Sequence, residues 1–192
     1  MRIGLDIDDV LVPLVEGLDL FYNTRYGKEI SLRDHTSYDL SSVWGISPQE
    51  TVQIVEDFYR SPAFSDLKPL EGAQDGVGRL SKNHTLIAVS SRPKLIQGPT
   101  EEWIGKYFSN NISEVICTGQ YNLDSNQISK DTIFLREGVD IVVEDVLPTA
   151  VKCVDHGMTA FLFNMPWNQN GNLKNERLVR VHNWADLMRK LK

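Results

Sequence analysis

Residues 2–10 of this 192-residue chain have the sequence RIGLDIDDV, and this stretch decides the fold. Its apolar start predicts a buried strand over residues 2–6, and Asp6, Asp8 and Asp9 follow within four residues. Two carboxylates 4 Å apart repel by roughly 4 kcal/mol at an effective dielectric of about 20, so the cluster is costly without a cation. Side chains i and i+2 of a strand share a direction, so Asp6 and Asp8 suit a hard divalent cation, which takes oxygen ligands. The alternative interpretation is a solvated acidic turn.

The composition is that of a globular protein, with 41% hydrophobic and 24% charged residues. The length suits one domain that carries an inserted piece. Lys and Arg number 20 against 26 Asp and Glu, a net charge of −6. This balance argues against a nucleic-acid polymer as partner, because such binding depends on cations that neutralise phosphates.

Two features of the sequence bear on the compartment. Cys117 and Cys153 lack the spacing of a zinc site or of a disulfide framework, which favours a reducing environment. No secretory leader is visible, and no apolar stretch approaches the roughly 20 residues that span a bilayer. We therefore expect a cytoplasmic protein without a membrane partner, and a homodimer is left open.

The hydrophobic pattern predicts an α/β fold. Helical spacing over residues 12–26 and a helix start at Ser47-Pro48 predict that residues 12–67 form a small helical cap. Strands and helices alternate from about residue 68, with strands predicted at 85–89, 113–118, 139–143 and 159–163 and helices at 101–108, 148–155 and after Asn183. This alternation implies a doubly wound parallel sheet, with residues 1–11 and 68–192 as its core and the cap inserted after the first strand.

Polar side chains follow three of the predicted strands. They are Asp6, Asp8 and Asp9 after the first, Ser90, Ser91 and Arg92 after the second, and Glu144 and Asp145 after the strand at 139–143. In open parallel sheets, ligands bind at the carboxyl ends of the strands, near the point where the strand order reverses. We therefore expect five carboxylates and two hydroxyls to meet in one crevice.

These segments resemble the motifs of the haloacid-dehalogenase (HAD) superfamily of phosphohydrolases. The matching pieces are DIDDV, the apolar run into Ser90, and VVED at 142–145. SSRP at 90–93, TEEWIGKYF at 100–108 and FLFNMPWN at 161–168 are similar to the 5′(3′)-deoxyribonucleotidase-like branch. The resemblance covers nearly the whole chain, with the cap region 28–67 matched least securely, and it implies a HAD-like Rossmannoid core.

The resemblance also implies roles for the acidic residues. Asp6 is expected to attack phosphorus and form an aspartyl-phosphate, and Asp8 to act as general acid and base. Asp145, Asp6 and Asp8, the last through its backbone carbonyl, are expected to hold Mg²⁺, with Glu144 supporting the metal through water. These roles suit the chemistry, because the alcohol leaving group needs a proton and the two reacting anions need a nearby cation.

The phosphate is expected to bind Ser90, Ser91 and a lysine. Lys130 is the preferred lysine and Lys106 the second choice, while the alternative for Lys130 is a surface loop residue. Asp9, where many relatives have glycine, is interpreted as a solvated or cap-facing residue rather than a third metal ligand.

Three further residues are predicted to line the substrate pocket. Arg92, Trp44 and Phe21 are candidates to contact substrate, since aromatic rings can stack on any base. Residues 166–168 are expected at the pocket rim. The alternatives are that the aromatic residues fill the core of the cap, that Arg92 caps a loop, and that 166–168 is an ordinary turn.

We therefore expect a Mg²⁺-dependent phosphomonoesterase acting on a small phosphorylated substrate, preferably a deoxyribonucleoside monophosphate. One alternative is a phosphatase for another small ester. A second is a receiver-type signalling domain, which also uses acidic residues, Ser or Thr, Lys and Mg²⁺ on a parallel sheet, but with its acceptor aspartate on a later strand. A third is a phosphate-binding relative without turnover, which the presence of Asp6 and Asp8 disfavours.

Overall fold

A computed structural model describes residues 1–119, 128–171 and 175–191 of the chain. Its centre is a six-stranded parallel sheet with the strand order β3-β2-β1-β4-β5-β6. The strands are β1 (Arg2–Leu5), β2 (Thr85–Ser90), β3 (Glu114–Cys117), β4 (Ile141–Glu144), β5 (Thr159–Phe163) and β6 (Leu178–Val181). This sheet confirms the predicted α/β class and parallel arrangement.

Helices connect the strands and cover the sheet. The α-helices are α1 (Leu14–Tyr26), α2 (Leu40–Trp44), α3 (Pro48–Tyr59), α4 (Pro62–Ser65), α5 (Ala73–Leu80), α6 (Gln97–Phe108), α7 (Lys130–Arg136), α8 (Leu147–Asp155) and α9 (Trp184–Lys190). Short 3₁₀ turns span Leu32–Asp34, Lys94–Ile96, Ser109–Asn111 and Pro166–Asn168. Within the described ranges, no helix is long and apolar enough to cross a membrane.

Two helix starts that the sequence predicts have the expected caps. The Ser47 hydroxyl accepts a hydrogen bond from the Glu50 amide at 3.2 Å, and the Glu50 carboxylate accepts one from the Ser47 amide at 3.0 Å. Asn183 accepts from the Asp186 amide at 2.9 Å at the start of α9. Each cap satisfies amides that have no partner within the helix.

The sheet buries both of its faces, as alternating side chains of a parallel sheet predict. On one face, Leu5 and Val143 pack with residues of α5, α6 and α9. On the other, Val89 and Val142 pack with residues of α7 and α8. The polar side chains at the carboxyl ends of the strands are therefore the candidates for binding a ligand.

The segment between β1 and β2 contains a third apolar cluster. Its buried members from α1 to α4 include Leu18, Tyr22, Trp44, Phe58 and Phe64. The rings of Tyr22 and Trp44 stack with centroids 4.5 Å apart. This cluster is the arrangement expected of the predicted cap; we call residues 12–67 the cap below, and their exact boundaries stay a prediction.

The topology brings the first and fourth strands together. After β1 the chain builds β2 and β3 on one side, and it then crosses to place β4 against the other side of β1. The strand order thus reverses between β1 and β4. The carboxyl ends at this reversal carry Asp6 and Asp145, as the sequence predicts.

Helix α7 approaches the sheet closely because β1 contains a glycine. A Cβ added at Gly4 would overlap the ring of Phe134, which is fully buried on α7. The first residue of that helix is Lys130. Gly4 therefore permits the packing that carries Lys130 to the end of β1.

We expect Gly4→Ala to lower the free energy of unfolding by about 1–3 kcal/mol, because an overfilled core must displace Phe134. Gly105→Ala is the control: this exposed glycine of α6 has open space for a Cβ, so alanine should stabilise by up to about 1 kcal/mol. Urea unfolding measures both. Equal stabilities for the two variants would contradict the close approach.

Candidate active site

The chain leaves β1 through a tightly folded, buried loop. The Asp6 amide donates to the Val143 carbonyl at 2.9 Å, which extends the pairing of β1 with β4 by one residue. Beyond it, the amides of Leu11 and Val12 both donate to the Ile7 carbonyl, at 2.8 and 3.1 Å. These backbone hydrogen bonds fix the conformation of the loop and hence the directions of the Asp8 and Asp9 side chains.

Three carboxylates converge at the ends of β1 and β4. Oxygen atoms of Asp6, Glu144 and Asp145 lie within 4.8 Å of one another, and all three residues are buried. Burial, followed by repulsion from Asp6, raises the pKa of Asp145 well above its usual value. Burial also raises the pKa of Glu144 to about 7, although Lys130 opposes this. Positive charge near the three carboxylates therefore stabilises the cluster.

Lys130 supplies one cation to this cluster. Its ammonium group lies 2.9 Å from Asp6 Oδ2 and 2.5 Å from Glu144 Oε1. Burial alone would lower the pKa of Lys130, but the charges of Asp6 and Glu144 outweigh burial and raise it. Lys130 is thus a buried helix residue beside Asp6, not a surface loop lysine. Lys106, the second choice, is exposed on α6 and lies near the Tyr107 ring.

Asp8 belongs to a second network. Its carboxylate accepts hydrogen bonds from the Ser90 hydroxyl at 2.8 Å and from Arg92 Nη2 at 2.6 Å and Nε at 2.9 Å. Arg92 is itself buried, and its guanidinium lies 5.0 Å from the centroid of the Phe64 ring of the cap. The structure thus brings Asp8, Ser90 and Arg92 together, and it directs the Asp8 carboxylate at the guanidinium rather than at Asp6 and Asp145.

Asp9 faces the cap and is not solvated, since only 2% of it is exposed. Its Oδ1 accepts from the Val15 amide at 3.2 Å, so it caps the first turn of α1 from outside the helix. Its Oδ2 has no partner, and burial together with Asp8 raises its pKa. Its φ of +57° is a left-handed conformation in which aspartate, asparagine and glycine are the favoured residues.

Trp167 contacts the carboxylate cluster directly, whereas its sequence position predicts only a place at the pocket rim. Its indole N–H donates to Asp145 Oδ2 at 3.0 Å, which leaves the buried Oδ1 of Asp145 without a partner. The Trp167 ring also meets the rings of His35 and Tyr38 edge-on, with centroids 6.3 and 5.6 Å away. The signal that could have indicated this contact is the position of Trp167 in the turn that follows β5, the strand next to the VVED strand.

The remaining predicted residues lie as follows. Ser91 is half-buried between Ser90 and Arg92. Trp44 stacks on Tyr22, and its ring N–H donates to Asp19 at 3.0 Å. Phe21 packs edge-on against Phe58 with centroids 5.6 Å apart. Packing within the cap accounts for the contacts of both aromatic residues, and their role in a substrate pocket stays a prediction.

The residues at this edge fit a divalent cation. Five buried carboxyl groups, those of Asp6, Asp8, Asp9, Glu144 and Asp145, face two buried cationic side chains, Lys130 and Arg92. The unpartnered Oδ1 of Asp145 is a free oxygen ligand within the cluster. An all-oxygen donor set suits Mg²⁺, and its two positive charges would offset the excess of carboxylates.

The fold of the chain is similar to that of HAD-like hydrolases. Among solved structures, the chain is similar to a haloacid dehalogenase-like hydrolase of Streptococcus pneumoniae, with a TM-score of 0.71, 12% identity, and 100% of this chain and 98% of that one covered. It is also similar to YfnB of Bacillus subtilis, solved bound to magnesium, with a TM-score of 0.64, 11% identity, and 100% and 98% covered. At these identities the likeness concerns the fold.

Sequence comparison identifies the family. The model of the family "5′ nucleotidase, deoxy (Pyrimidine), cytosolic type C protein" matches residues 1–191, and the chain belongs to this family. A 5′(3′)-deoxyribonucleotidase of Bacillus subtilis is 24% identical over 98% of this chain and 97% of its own length. A 5′(3′)-deoxyribonucleotidase of Bacillus phage SPbeta is similar to the same extent. The expected HAD membership and nucleotidase-like branch are thus confirmed.

We expect Asp9→Asn to raise the free energy of unfolding at pH 7 in EDTA. The amide keeps an oxygen for the Val15 amide and tolerates the left-handed conformation, but it carries no charge. Because the pKa of Asp9 is raised in the folded protein, the wild type loses stability as the pH rises above about 4. The difference in the free energy of unfolding between Asp9→Asn and the wild type should therefore grow with pH. Urea unfolding across this pH range measures it.

Asp9→Ala is the matched variant. It also removes the charge, but it loses the helix cap and strains the backbone, so it should be about 1–3 kcal/mol less stable than Asp9→Asn. An Asp9→Asn protein that is less stable than the wild type at pH 7 would contradict this description of Asp9.

Proposed function

We propose that this chain is a Mg²⁺-dependent nucleotidase that hydrolyses nucleoside monophosphates through an aspartyl-phosphate on Asp6, with deoxyribonucleotides preferred. The observation that carries the proposal is the buried cluster of Asp6, Glu144 and Asp145 beside Lys130. The names of the relatives from Bacillus subtilis and its phage support the choice of substrate. The strand order and the family membership argue against the receiver-type alternative.

In the first step, a carboxylate oxygen of Asp6 attacks phosphorus and displaces the nucleoside alcohol. Asp6 and Asp145 would hold the Mg²⁺ ion, with Glu144 beside them, and the bound ion would neutralise charge on the phosphoryl oxygens. The Lys130 ammonium, already paired with Asp6, would share its positive charge with the phosphate. The hydroxyl of Ser90 would donate to a phosphoryl oxygen, and Ser91 lies next to it.

Asp8 is proposed to act as the general acid and then as the general base. Its protonated carboxyl gives a proton to the leaving oxygen, and its carboxylate then takes one from the water that hydrolyses the aspartyl-phosphate. For this the Asp8 carboxyl must turn away from Arg92, which holds it through two nitrogens. Arg92 would then be free to bind the substrate anion, which fits its expected place in the substrate pocket.

The proposal is tested by measuring phosphate release from 5′- and 3′-deoxyribonucleoside monophosphates, ribonucleoside monophosphates and sugar phosphates. Deoxyribonucleoside monophosphates should give the highest kcat/KM. EDTA should abolish the activity and added Mg²⁺ restore it. A preference for sugar phosphates would favour the alternative of another small ester, and activity that persists in EDTA would contradict the metal assignment.

Asp6→Asn in the same assay should reduce kcat by at least about 10³-fold, because the nucleophile is lost. Asp75→Asn is the control, since that carboxylate is 76% exposed on α5 and should be replaceable without effect. Thermal unfolding of Asp6→Asn should show a protein that is folded, because one of the repelling charges has been removed. Substantial activity in Asp6→Asn would exclude Asp6 as the nucleophile.

Asp8→Asn should slow the hydrolysis of a deoxyribonucleoside monophosphate far more than that of p-nitrophenyl phosphate, whose leaving group needs less protonation. We expect the ratio of the two kcat values to change by at least about 10²-fold, the lower range of general acid catalysis. The ratio is measured within one preparation, so any loss of folded protein cancels. Equal losses on both substrates would count against Asp8 as the acid.

A further inference from the structure

Trp167 contacts both a carboxylate of the proposed metal site and the cap. Its ring N–H donates to Asp145 Oδ2, and its ring edges meet His35 and Tyr38, which lie between α1 and α2. Trp167 is half-buried, whereas Asp145 is fully buried. A movement of the cap relative to the sheet would therefore change the surroundings of this ring.

The sheet side of this contact is held firmly. Asn168, 1% exposed, donates through its side-chain amide to the carbonyls of Asp145 at 2.6 Å and Phe163 at 2.7 Å. Arg180 of β6 donates in turn to the Asn168 carbonyl at 2.8 Å. These bonds tie the turn that carries Trp167 to the ends of β4, β5 and β6, so the indole has a defined position over Asp145.

The cap side is held as well. His35, 1% exposed, is paired through Nε2 with Asp19 Oδ2 at 2.8 Å. The other oxygen of Asp19 accepts from the Trp44 ring N–H at 3.0 Å. His35 is therefore fixed to α1 and α2 by buried polar contacts, and its ring is a rigid surface for Trp167.

We propose that Trp167 is a positioning residue that orients Asp145 for the cation and couples the seating of the cap to cation binding. The indole N–H occupies Oδ2 of Asp145, so Oδ1 stays free to ligate the metal. Metal ligands that are held by such outer partners bind more tightly, typically by 10–100-fold. A position of the cap that holds the indole against Asp145 therefore strengthens cation binding. By thermodynamic linkage, the bound cation stabilises that position of the cap by the same factor.

This inference rests on the proposed Mg²⁺ site, and two measurements without substrate test it. In isothermal titration calorimetry with Mg²⁺, Trp167→Phe should raise the dissociation constant by about tenfold or more, because the ring remains and the N–H is lost. Trp103→Phe is the matched control: it also loses one indole hydrogen bond to the cap, that to the Leu67 carbonyl at 2.8 Å, but this bond does not involve Asp145, so the dissociation constant should stay within about twofold of the wild type.

Hydrogen exchange followed by mass spectrometry tests the coupling. In the wild type and in Trp103→Phe, Mg²⁺ should slow exchange of the amides in residues 32–40. In Trp167→Phe this slowing should be lost. Tyr38→Ala keeps the bond to Asp145 but removes a partly exposed ring of the cap; it should weaken the slowing and raise the Mg²⁺ dissociation constant by about fivefold, the lower end of typical coupling.

The outcomes separate this inference from the function on which it rests. A wild-type protein that binds no Mg²⁺ would overturn the proposed metal site itself. If the wild type binds Mg²⁺ and the dissociation constant of Trp167→Phe lies within about twofold of the wild-type value, the nucleotidase proposal stands and the role of Trp167 is overturned. Should Trp167→Phe not fold, Tyr38→Ala decides: unchanged affinity and unchanged slowing of exchange would overturn the coupling.

Discussion

Repulsion among the buried carboxylates governs the site and the elements around it. Asp6, Glu144 and Asp145 lie together and are buried, and a like charge is far more costly there than at the surface. Lys130 offsets part of this repulsion, while burial, followed by repulsion from Asp6, raises the pKa values of Glu144 and Asp145. A divalent cation would offset the remaining negative charge, and together with Lys130 it would supply the positive charge that a phosphate dianion requires of a site.

The fold brings these charges together through backbone features rather than through flexible side chains. The reversal of strand order puts the ends of β1 and β4 side by side, and Gly4 lets α7 approach closely enough for Lys130 to reach Asp6. Asp9 connects the same loop to the start of α1, and Trp167 connects the other acidic strand to the cap. The cap is therefore connected to the loop after β1 and to the end of β4.

Much of this arrangement could be predicted from sequence because it follows from short-range patterns. The parallel sheet, the caps at Ser47 and Asn183 and the position of Lys130 near the acidic residues agree with the structure. Strand β6 was missed because LVRV is short and contains a charged residue, and α5 was missed because two of its eight residues are glycines, which are poor helix formers. The pairing of Asp8 with Arg92 and the bond from Trp167 depend on tertiary packing, which no local pattern specifies.

The proposed metal site can be located in a crystal of the protein grown with Mn²⁺ in place of Mg²⁺, because anomalous scattering shows the ion without reference to activity. We expect one ordered ion with carboxylate oxygens of Asp6 and Asp145 among its ligands. In the same crystal, Trp167 should still donate to the second oxygen of Asp145. An ion bound only elsewhere, or an acidic cluster that stays free of metal at saturating Mn²⁺, would show that these carboxylates do not form the metal site.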